Sequence, residues 1–406
     1  MLPQGMDRLN TKRRNRAQIL RLLKRSGPCS RMEIAKKLSL TTATISTLTA
    51  DMLSQGLLYE CAEQTGGTHP GKKGMLLDIQ YNRYKTLGCI IGDDSLRCGI
   101  ADLRGNILHT GARIDFDQSS AKSILAATQR AIDSLLRWAD PAMLGIGIGV
   151  NNELLQMTEI GDDLLTALRA EMSTRYASVC GVKVDISSRA LALAQVDYDQ
   201  RNPGDSIVFL QVANSLDMAV TIGGELYSGA HGNLGKLDHM VIDPDGELCE
   251  CGKRGCVRTV LTVNGLLNRV KKIYSRETTP VLYEITGGDK DKLQYDHLKI
   301  AAKRGDKIIS EIYEKDDARF SSLLYNFLTL IDPNKCFIQG IGLYANEFIE
   351  RLNKVACANY GKKFSDIYAL SFLNADNIFL GGNALAGRAF FYETGGPEKH
   401  MDMKLV

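Results

Sequence analysis

The chain has 406 residues, is 44% hydrophobic and 24% charged, and carries a formal net charge of +3. That length supports two or three domains with substantial cores, and the composition excludes a disordered or fibrous chain. So small a surplus of positive charge also excludes a polycation, so any contact with nucleic acid must come from local clustering.

Such clustering opens the sequence, where Arg8, Lys12, Arg13, Arg14, Arg16, Arg21, Lys24 and Arg25 are accompanied by a single acid, Asp7. From Asn15 onward, apolar residues fall at helical spacing in three blocks. Ile19, Leu20, Leu22 and Leu23 form one face, and Gly27-Pro28 stops that helix. Ser30 and Glu33 predict a capping box for a second helix, with Ile34, Ala35 and Leu38 inward. Ser39-Leu40-Thr41 is a short turn, and the third block, Thr42 to Gln55, carries Ile45, Leu48, Met52 and Leu53 inward before Gly56. Helix, tight turn and a second helix with a small, polar outer face form the pattern of a helix-turn-helix. Thr42, Thr44, Ser46 and Thr47 are expected to face the major groove, where hydroxyls meet base edges. Arg31, Lys36 and Lys37 are placed for phosphates. The run TGGTHPGKKGMLLDI predicts a hairpin wing with Lys72 and Lys73 at its tip. The competing reading is a three-helix bundle used only for packing or protein contact.

From Thr86 the pattern changes to short apolar strands alternating with helices. TLGCIIGDDSLRCGIADLRGNILHTGARI reads as successive antiparallel strands, Ser123 to Trp138 as a helix, and LGIGIGV as a buried strand. A second set starts at SIVFLQVANSLDMAVTIGGELYSGA. Two such αβ halves predict an α/β fold with two lobes and a ligand cleft between them. The expected boundaries are 1–80 for the DNA-binding domain, 81–196 for a first lobe completed by a C-terminal helix at about 384–406, and 197–383 for a second lobe. RETTPVLYEITGGDKDKLQ, residues 276–294, breaks helical periodicity and reads as a loop insertion.

Within the second half, HMVIDPDGELCECGKRGCVRTV brings together His239, Cys249, Cys251 and Cys256. One imidazole and three thiolates suit a closed tetrahedral Zn²⁺ site, which has no open position for water and builds structure rather than hydrolysing a substrate. The other seven of the ten cysteines are scattered singly, as in a reducing cytoplasm. No signal peptide or membrane-spanning apolar run is found, so a soluble cytoplasmic protein without membrane insertion is expected.

Four segments carry a family resemblance: the cysteine cluster, GAHGNLGKLDHMVIDPDG, GCIIGDDSLRCGIADLRGNIL and DISSRALALAQ. Over roughly 86–400 the chain resembles the ROK family, which contains sugar-responsive repressors and bacterial sugar kinases on the actin-like ATPase (ribonuclease H-like) fold. The winged helix in front resembles the repressor branch, including xylose and N-acetylglucosamine repressors. The resemblance also shows what is absent. Kinases of the family have a Gly-Gly-Thr phosphate turn where this chain has Asp93-Asp94-Ser95, and a Gly-Thr-Gly turn where it has Ala213-Asn214-Ser215. Their Asn-Asp pair, whose Asp is the general base, is replaced by Ile186-Ser187, and a serine lacks the basicity for that role. A non-enzymatic regulator is therefore expected.

The resemblance implies the ligand site too. The family's Gly-Glu-Ile-Gly-His segment reads Gly235-Lys236-Leu237-Asp238-His239 here, and His239 is implied both as a metal ligand and as a support for sugar hydroxyls. Asn151, Ser187, Arg189, Lys236 and His239 are the candidate effector contacts, and Arg258 stands where the family has a Glu. These basic replacements fit an anionic effector, such as a sugar acid or sugar phosphate. Equally, they fit internal pairing with Asp185, Asp217 or Asp238. The implied function is a transcriptional regulator, usually a repressor, that reads a double-stranded operator as a homodimer or homotetramer and senses a carbohydrate-type effector. A sugar kinase with a DNA-binding appendage and a repressor controlled by a protein partner are the rival readings.

Overall fold

The computed structural model describes residues 8–63, 75–156, 161–201, 204, 206–232, 234–340 and 346–397. Its chain divides into two compact units: residues up to Tyr198 together with those from Asp376 onward, and Asp199–Ala375.

The N-terminal part is built from α1 (Arg8–Ser26), β1 (Cys29–Ser30), α2 (Arg31–Leu38), α3 (Thr42–Ser54), β2 (Leu58–Glu63) and β3 (Met75–Ile79). The expected capping box is present: Ser30 accepts the Glu33 N–H, and the Glu33 carboxylate accepts the Ser30 N–H at 2.8 Å. Ser39 then takes a left-handed conformation, φ 55°, that ends α2. Two residues on, the Thr41 hydroxyl caps α3 by accepting the Thr44 N–H at 3.2 Å. The three strands pair antiparallel in the order β1-β3-β2, which makes this a winged helix. Lys72 and Lys73 lie outside the described residues. Ile19, Leu20, Leu23, Ile34, Ile45 and Met52 are fully buried in one core with Leu77, Ile79 and, from the far end of the chain, Phe391 and Tyr392.

The lobe that follows contains β4 (Lys85–Ile91), β5 (Ser95–Asp102), β6 (Ile107–Thr110), β7 (Ile114–Asp115), α4 (Ala121–Leu136), β8 (Met143–Val150), α5 (Asn152–Gln156), α6 (Gly161–Tyr176), β9 (Gly181–Ile186) and α7 (Ser187–Tyr198). Its sheet runs β6-β5-β4-β8-β9, with β7 also on β5. Strands β4, β5 and β6 form an antiparallel meander, and β8 and β9 extend it in parallel from β4.

The second unit repeats that plan. It comprises β10 (Ile207–Val212), β11 (Leu216–Ile222), β12 (Glu225–Tyr227), α8 (Val257–Val260), α9 (Val263–Ile273), α10 (Pro280–Ile285), α11 (Tyr295–Lys303), α12 (Lys307–Ile331), β13 (Lys335–Gly340), α13 (Asn346–Tyr360) and β14 (Tyr368–Leu370). The sheet order is β12-β11-β10-β13-β14, again an antiparallel meander continued by two parallel strands. A strand order of 3-2-1-4-5 in both units is the duplicated plan of the actin-like fold. The segment read as a loop insertion is instead partly helical. Pro280 starts α10, where its missing N–H costs nothing, and Leu282 is buried with Leu266, Val270 and Leu298. A helix of six residues is too short to show a 3.6-residue period, which is why the sequence pattern hid it.

The chain returns to the first unit with α14 (Leu380–Gly387) and a π-helical turn at Arg388–Tyr392. Here the alternating glycines of LGIGIGV find their reason. A Cβ on Gly147 would lie 2.0 Å from the Gly382 carbonyl oxygen, and one on Gly88 of the neighbouring strand 2.1 Å from the Phe379 carbonyl oxygen. The sheet therefore leaves a bare channel into which α14 sinks against backbone. Asn383, fully buried on α14, donates to the Thr86 carbonyl at 2.7 Å and fixes the helix along it.

Candidate nucleic-acid interface and metal centre

The outer face of α3 carries Thr42, Ala43, Ser46, Thr47 and Ala50, all exposed. Thr44 is half-buried, and its hydroxyl lies 2.8 Å from that of Thr41. Its chemistry is committed to the cap, whereas the exposed Thr42 and Ser46 have no such role, and the exposed Thr47 donates its hydroxyl to the Ala43 carbonyl at 3.0 Å, leaving its oxygen as an acceptor. Ala43 and Ala50 were missed by a reading that looked for polar groups. Their seven-residue spacing places them on the same helical stripe, and a methyl group on a recognition helix suits the methyl of thymine.

The basic residues divide in the same way. Lys36 and Lys37 are exposed at the end of α2. Arg31 is tied inward: its Nε donates to Thr49 at 3.2 Å and its guanidinium meets Glu60 at 3.1 Å. On α1, Lys12 pairs with Asp51 of α3 at 2.6 Å. Arg16, 2% exposed, donates to the Gly395 carbonyl at 2.9 Å and to Gln55 at 2.8 Å. Lys24 lies 2.6 Å from Asp197 at the end of α7. So part of the N-terminal basic run is spent on internal bonds, a use that composition alone does not reveal.

In the second unit, a ring nitrogen of His239 and the sulfurs of Cys249, Cys251 and Cys256 all lie within 4.8 Å of one another. Cys249 Sγ is 3.5 Å from His239 Nδ1, and Cys251 Sγ is 3.6 Å from Cys256 Sγ. Four tetrahedral ligands on one small cation would be separated by about 3.5–3.8 Å, and these two pairs already stand at that spacing. Burial, together with the neighbouring sulfurs, pushes the Cys256 thiol up to about 12, as expected where thiols crowd without a cation to share. Backbone builds the cradle. Cys249 N–H donates to the Lys253 carbonyl at 2.7 Å, Val257 N–H to Met240 at 2.9 Å, and Lys253 Nζ to the His239 carbonyl at 2.9 Å. Gly255 has φ +60°, and a Cβ there would lie 1.4 Å from the Asp243 carbonyl oxygen, so no other residue fits. This group is able to hold a metal ion.

The two turns that the resemblance matches to phosphate turns of the kinases are bonded within the chain itself. In the first unit, the buried Asn151 amide donates to Asp93 at 2.6 Å while its oxygen accepts the Glu153 N–H at 3.1 Å. Asp94 meets Arg113 at 3.3 Å. Ser187 is fully buried at the start of α7, and Arg189 pairs with Asp185 at 3.2 Å. In the second unit, the Ala213 N–H bonds the Ser215 carbonyl at 2.9 Å, and the buried Ser215 hydroxyl donates to Asp217 at 2.8 Å. Asp238, 1% exposed, accepts the Leu216 N–H at 2.8 Å and lies 3.4 Å from Arg258, which also meets Glu250 at 2.9 Å. Lys236 is exposed and forms an isolated backbone bridge with Asp217. Of the cations read as effector contacts, Arg189 is therefore internally compensated, as is Arg258 beside the histidine–cysteine cluster.

A ROK family profile matches residues 86–383. The chain belongs to the ROK family. A MarR family profile matches residues 11–67, the winged helix. Among curated relatives, the N-acetylglucosamine repressor of Escherichia coli O157:H7 is 23% identical over 84% of this chain and 84% of its own. The xylose repressor of Caldicellulosiruptor bescii is 23% identical over 84% of this chain and 86% of its own. A solved ROK family transcriptional regulator, a homolog of the Escherichia coli MLC protein, superimposes with a TM-score of 0.71 at 20% identity, covering 95% of this chain and 98% of that one. Sugar kinases of the family match over a smaller share of the chain. No helix among the described residues is long and apolar enough to cross a membrane.

Proposed function

We propose that this chain is a sugar-responsive, DNA-binding transcriptional repressor of the ROK family, acting in the cytoplasm as a homodimer or homotetramer on a two-fold operator. The observation that carries this reading is the pairing, in one compact unit, of a winged helix with an actin-like lobe whose first phosphate turn is filled by Asn151, Asp93, Asp94 and Arg113. A reader of palindromic DNA needs a partner related by two-fold symmetry, because its two recognition helices must enter successive major grooves. Repression is relieved if the effector binds better to the arrangement whose paired helices no longer match the half-sites.

The ion we assign to His239, Cys249, Cys251 and Cys256 is Zn²⁺. When bound, it would draw the three thiols into thiolates and cross-link the loop, supplying folding free energy rather than chemistry. The four side chains hold the loop between Met240 and Val257 in place, beside the segment that presents Lys236.

For the effector, the internal pairs of Arg189 and Arg258 narrow the reading. Lys236 remains as the exposed cation of the segment, which suits a carbohydrate derivative bearing one anionic group at most. Calorimetric titration with a neutral hexose, its uronic acid and its 6-phosphate tests this. Preference for one of the three shows the class, and equal binding of a doubly charged phosphate and a neutral sugar overturns the role given to Lys236.

The function as a whole is tested by mapping the genomic sites occupied by the chain and measuring duplex affinity with purified protein. Enrichment of an inverted repeat upstream of carbohydrate genes is expected. Steady ATP turnover with any sugar, together with no sequence-selective DNA binding, would favour the kinase reading.

A further inference from the structure

The proposed repressor raises a question of transmission: which element carries a change in the sensing lobe to the recognition helix. Helix α7 begins at Ser187, itself read as an effector contact, and ends at Asp197 and Tyr198. Apart from Arg189, every residue from Ser187 to Gln195 is buried. Gly149 and Gly381 admit its flanks so closely that added methyls would lie 3.3 Å from Ala190 Cβ and 2.9 Å from Leu191 Cδ2. A helix of about 18 Å packed this tightly moves as a body rather than bending.

At its far end, the Asp197 carboxylate is 2% exposed and takes two cations from opposite ends of the chain. Arg388 grips it in a fork, Nε at 3.0 Å and a terminal nitrogen at 2.6 Å. Lys24 of α1 reaches it at 2.6 Å, with its ammonium 4.2 Å from the centre of the Tyr392 ring. Helix α1 then passes the constraint on. Its Lys12 and Arg16 hold Asp51 and Gln55 at the end of recognition helix α3. The contacts therefore run without a gap from α7 through α1 to α3, all inside one unit.

We propose that Asp197 is the positioning residue of this regulator, the joint through which the setting of α7 fixes the angle of α1 and with it the pose of α3. Lys24 is the movable half of the joint and Arg388 the fixed half. This rests on the reading of α3 as the DNA-reading helix. Linkage makes it testable from the DNA side, since what α7 does to operator affinity, operator binding must do to α7.

The probe is the duplex that the full chain selects from a random 30-base-pair library, used with wild type and Lys24→Met. This variant leaves the Arg388–Asp197 pair in place, so the buried carboxylate is not stranded. Hydrogen exchange is followed in the peptide covering Ile186–Leu191, with and without duplex. In wild type the duplex is expected to change exchange there at least threefold. In Lys24→Met it is expected to bind within tenfold of wild type while the change at α7 disappears. An equal change in the variant, or no change in wild type with duplex bound, overturns the proposal. If no duplex is selected at all, the DNA reading itself fails and this inference with it. Asp197→Asn serves as a second variant, expected to lose the same response while Arg388 still has an acceptor.

Discussion

Asp238 and Arg258 are each other's counter-charge: the guanidinium lies 3.4 Å from a carboxylate that is almost fully buried, and the Arg258 N–H donates to the Asp238 carbonyl at 2.8 Å. Both residues depart from the pattern their segment resembles, and the structure joins the two departures. Removing Arg258 takes from the buried Asp238 carboxylate the cation that lies 3.4 Å away. Arg258→Glu should destabilise the second unit by about 3 kcal/mol, the scale of a buried pair broken on one side. Asp238→Gly combined with Arg258→Glu should recover at least ~1 kcal/mol of the summed single losses. Urea unfolding of the four proteins measures this, and strict additivity would show that the pair is incidental.

Chelation provides a second test. The protein should bind one Zn²⁺ per chain, and its removal should lower the melting temperature and loosen the Met240–Val257 loop, seen as faster amide exchange there. Gly255→Ala should mimic the loss even with metal present in excess, because its methyl would collide with the Asp243 carbonyl. A variant with full metal content and unchanged exchange would disprove the cradle geometry.

On DNA, the exposed groups should separate by role. Lys36→Gln is expected to weaken binding to all duplexes alike and to reduce the slope of log affinity against log salt by roughly 1. Changes at Ser46 or Thr47 should alter base preference by about 1–3 kcal/mol at one or two positions with the salt slope kept. Thr44→Val should cost domain stability, about 1 kcal/mol for a disturbed cap, and leave base preference as it is. Competition binding across salt concentrations distinguishes the three.

Acid should weaken the tie that Asp197 makes to the winged helix through Lys24. Burial disfavours the charged form of Asp197, but Arg388 and Lys24 outweigh it and hold the carboxyl below the ordinary carboxylate range. A pKa lowered by folding stabilises fully above the unfolded value of about 3.9 and is lost as pH falls through the folded one. Tyr198 and Tyr392, which also face this carboxylate, are pushed up by burial and stay neutral throughout. The stability difference between wild type and Asp197→Asn should therefore be constant from pH 5 to 7 and shrink below about pH 4. A difference independent of pH would show that the ion pair contributes nothing.

Much of this was legible before any coordinates. The capping box at Ser30, the turn at Ser39 and the cysteine spacing each have a local physical cause, and local causes are written in short stretches of sequence. What stayed hidden depends on residues far apart. Arg16 reads as part of a basic arm until Gly395 and Gln55 are seen to hold it. Arg258 reads as a charge replaced for a ligand until Asp238 is found opposite. The α10 segment was hidden for another reason, being too short to show a period. Ala43 and Ala50 carry no polar signal, and only the helical stripe they share with Ser46 and Thr47 marks them.

The glycine channel on β4 and β8 has a consequence for the order in which the molecule is made. Its occupant, α14, is synthesised more than 220 residues after β8, and so are Arg388, Phe391 and Gly395, which fasten the winged helix to the lobe. On the ribosome, the winged helix therefore emerges while its mounting is still untranslated. Until that last stretch is made, α1 lacks the Arg16–Gly395 bond and the Phe391 and Tyr392 side chains that complete its core, and the channel on β4 and β8 stays empty.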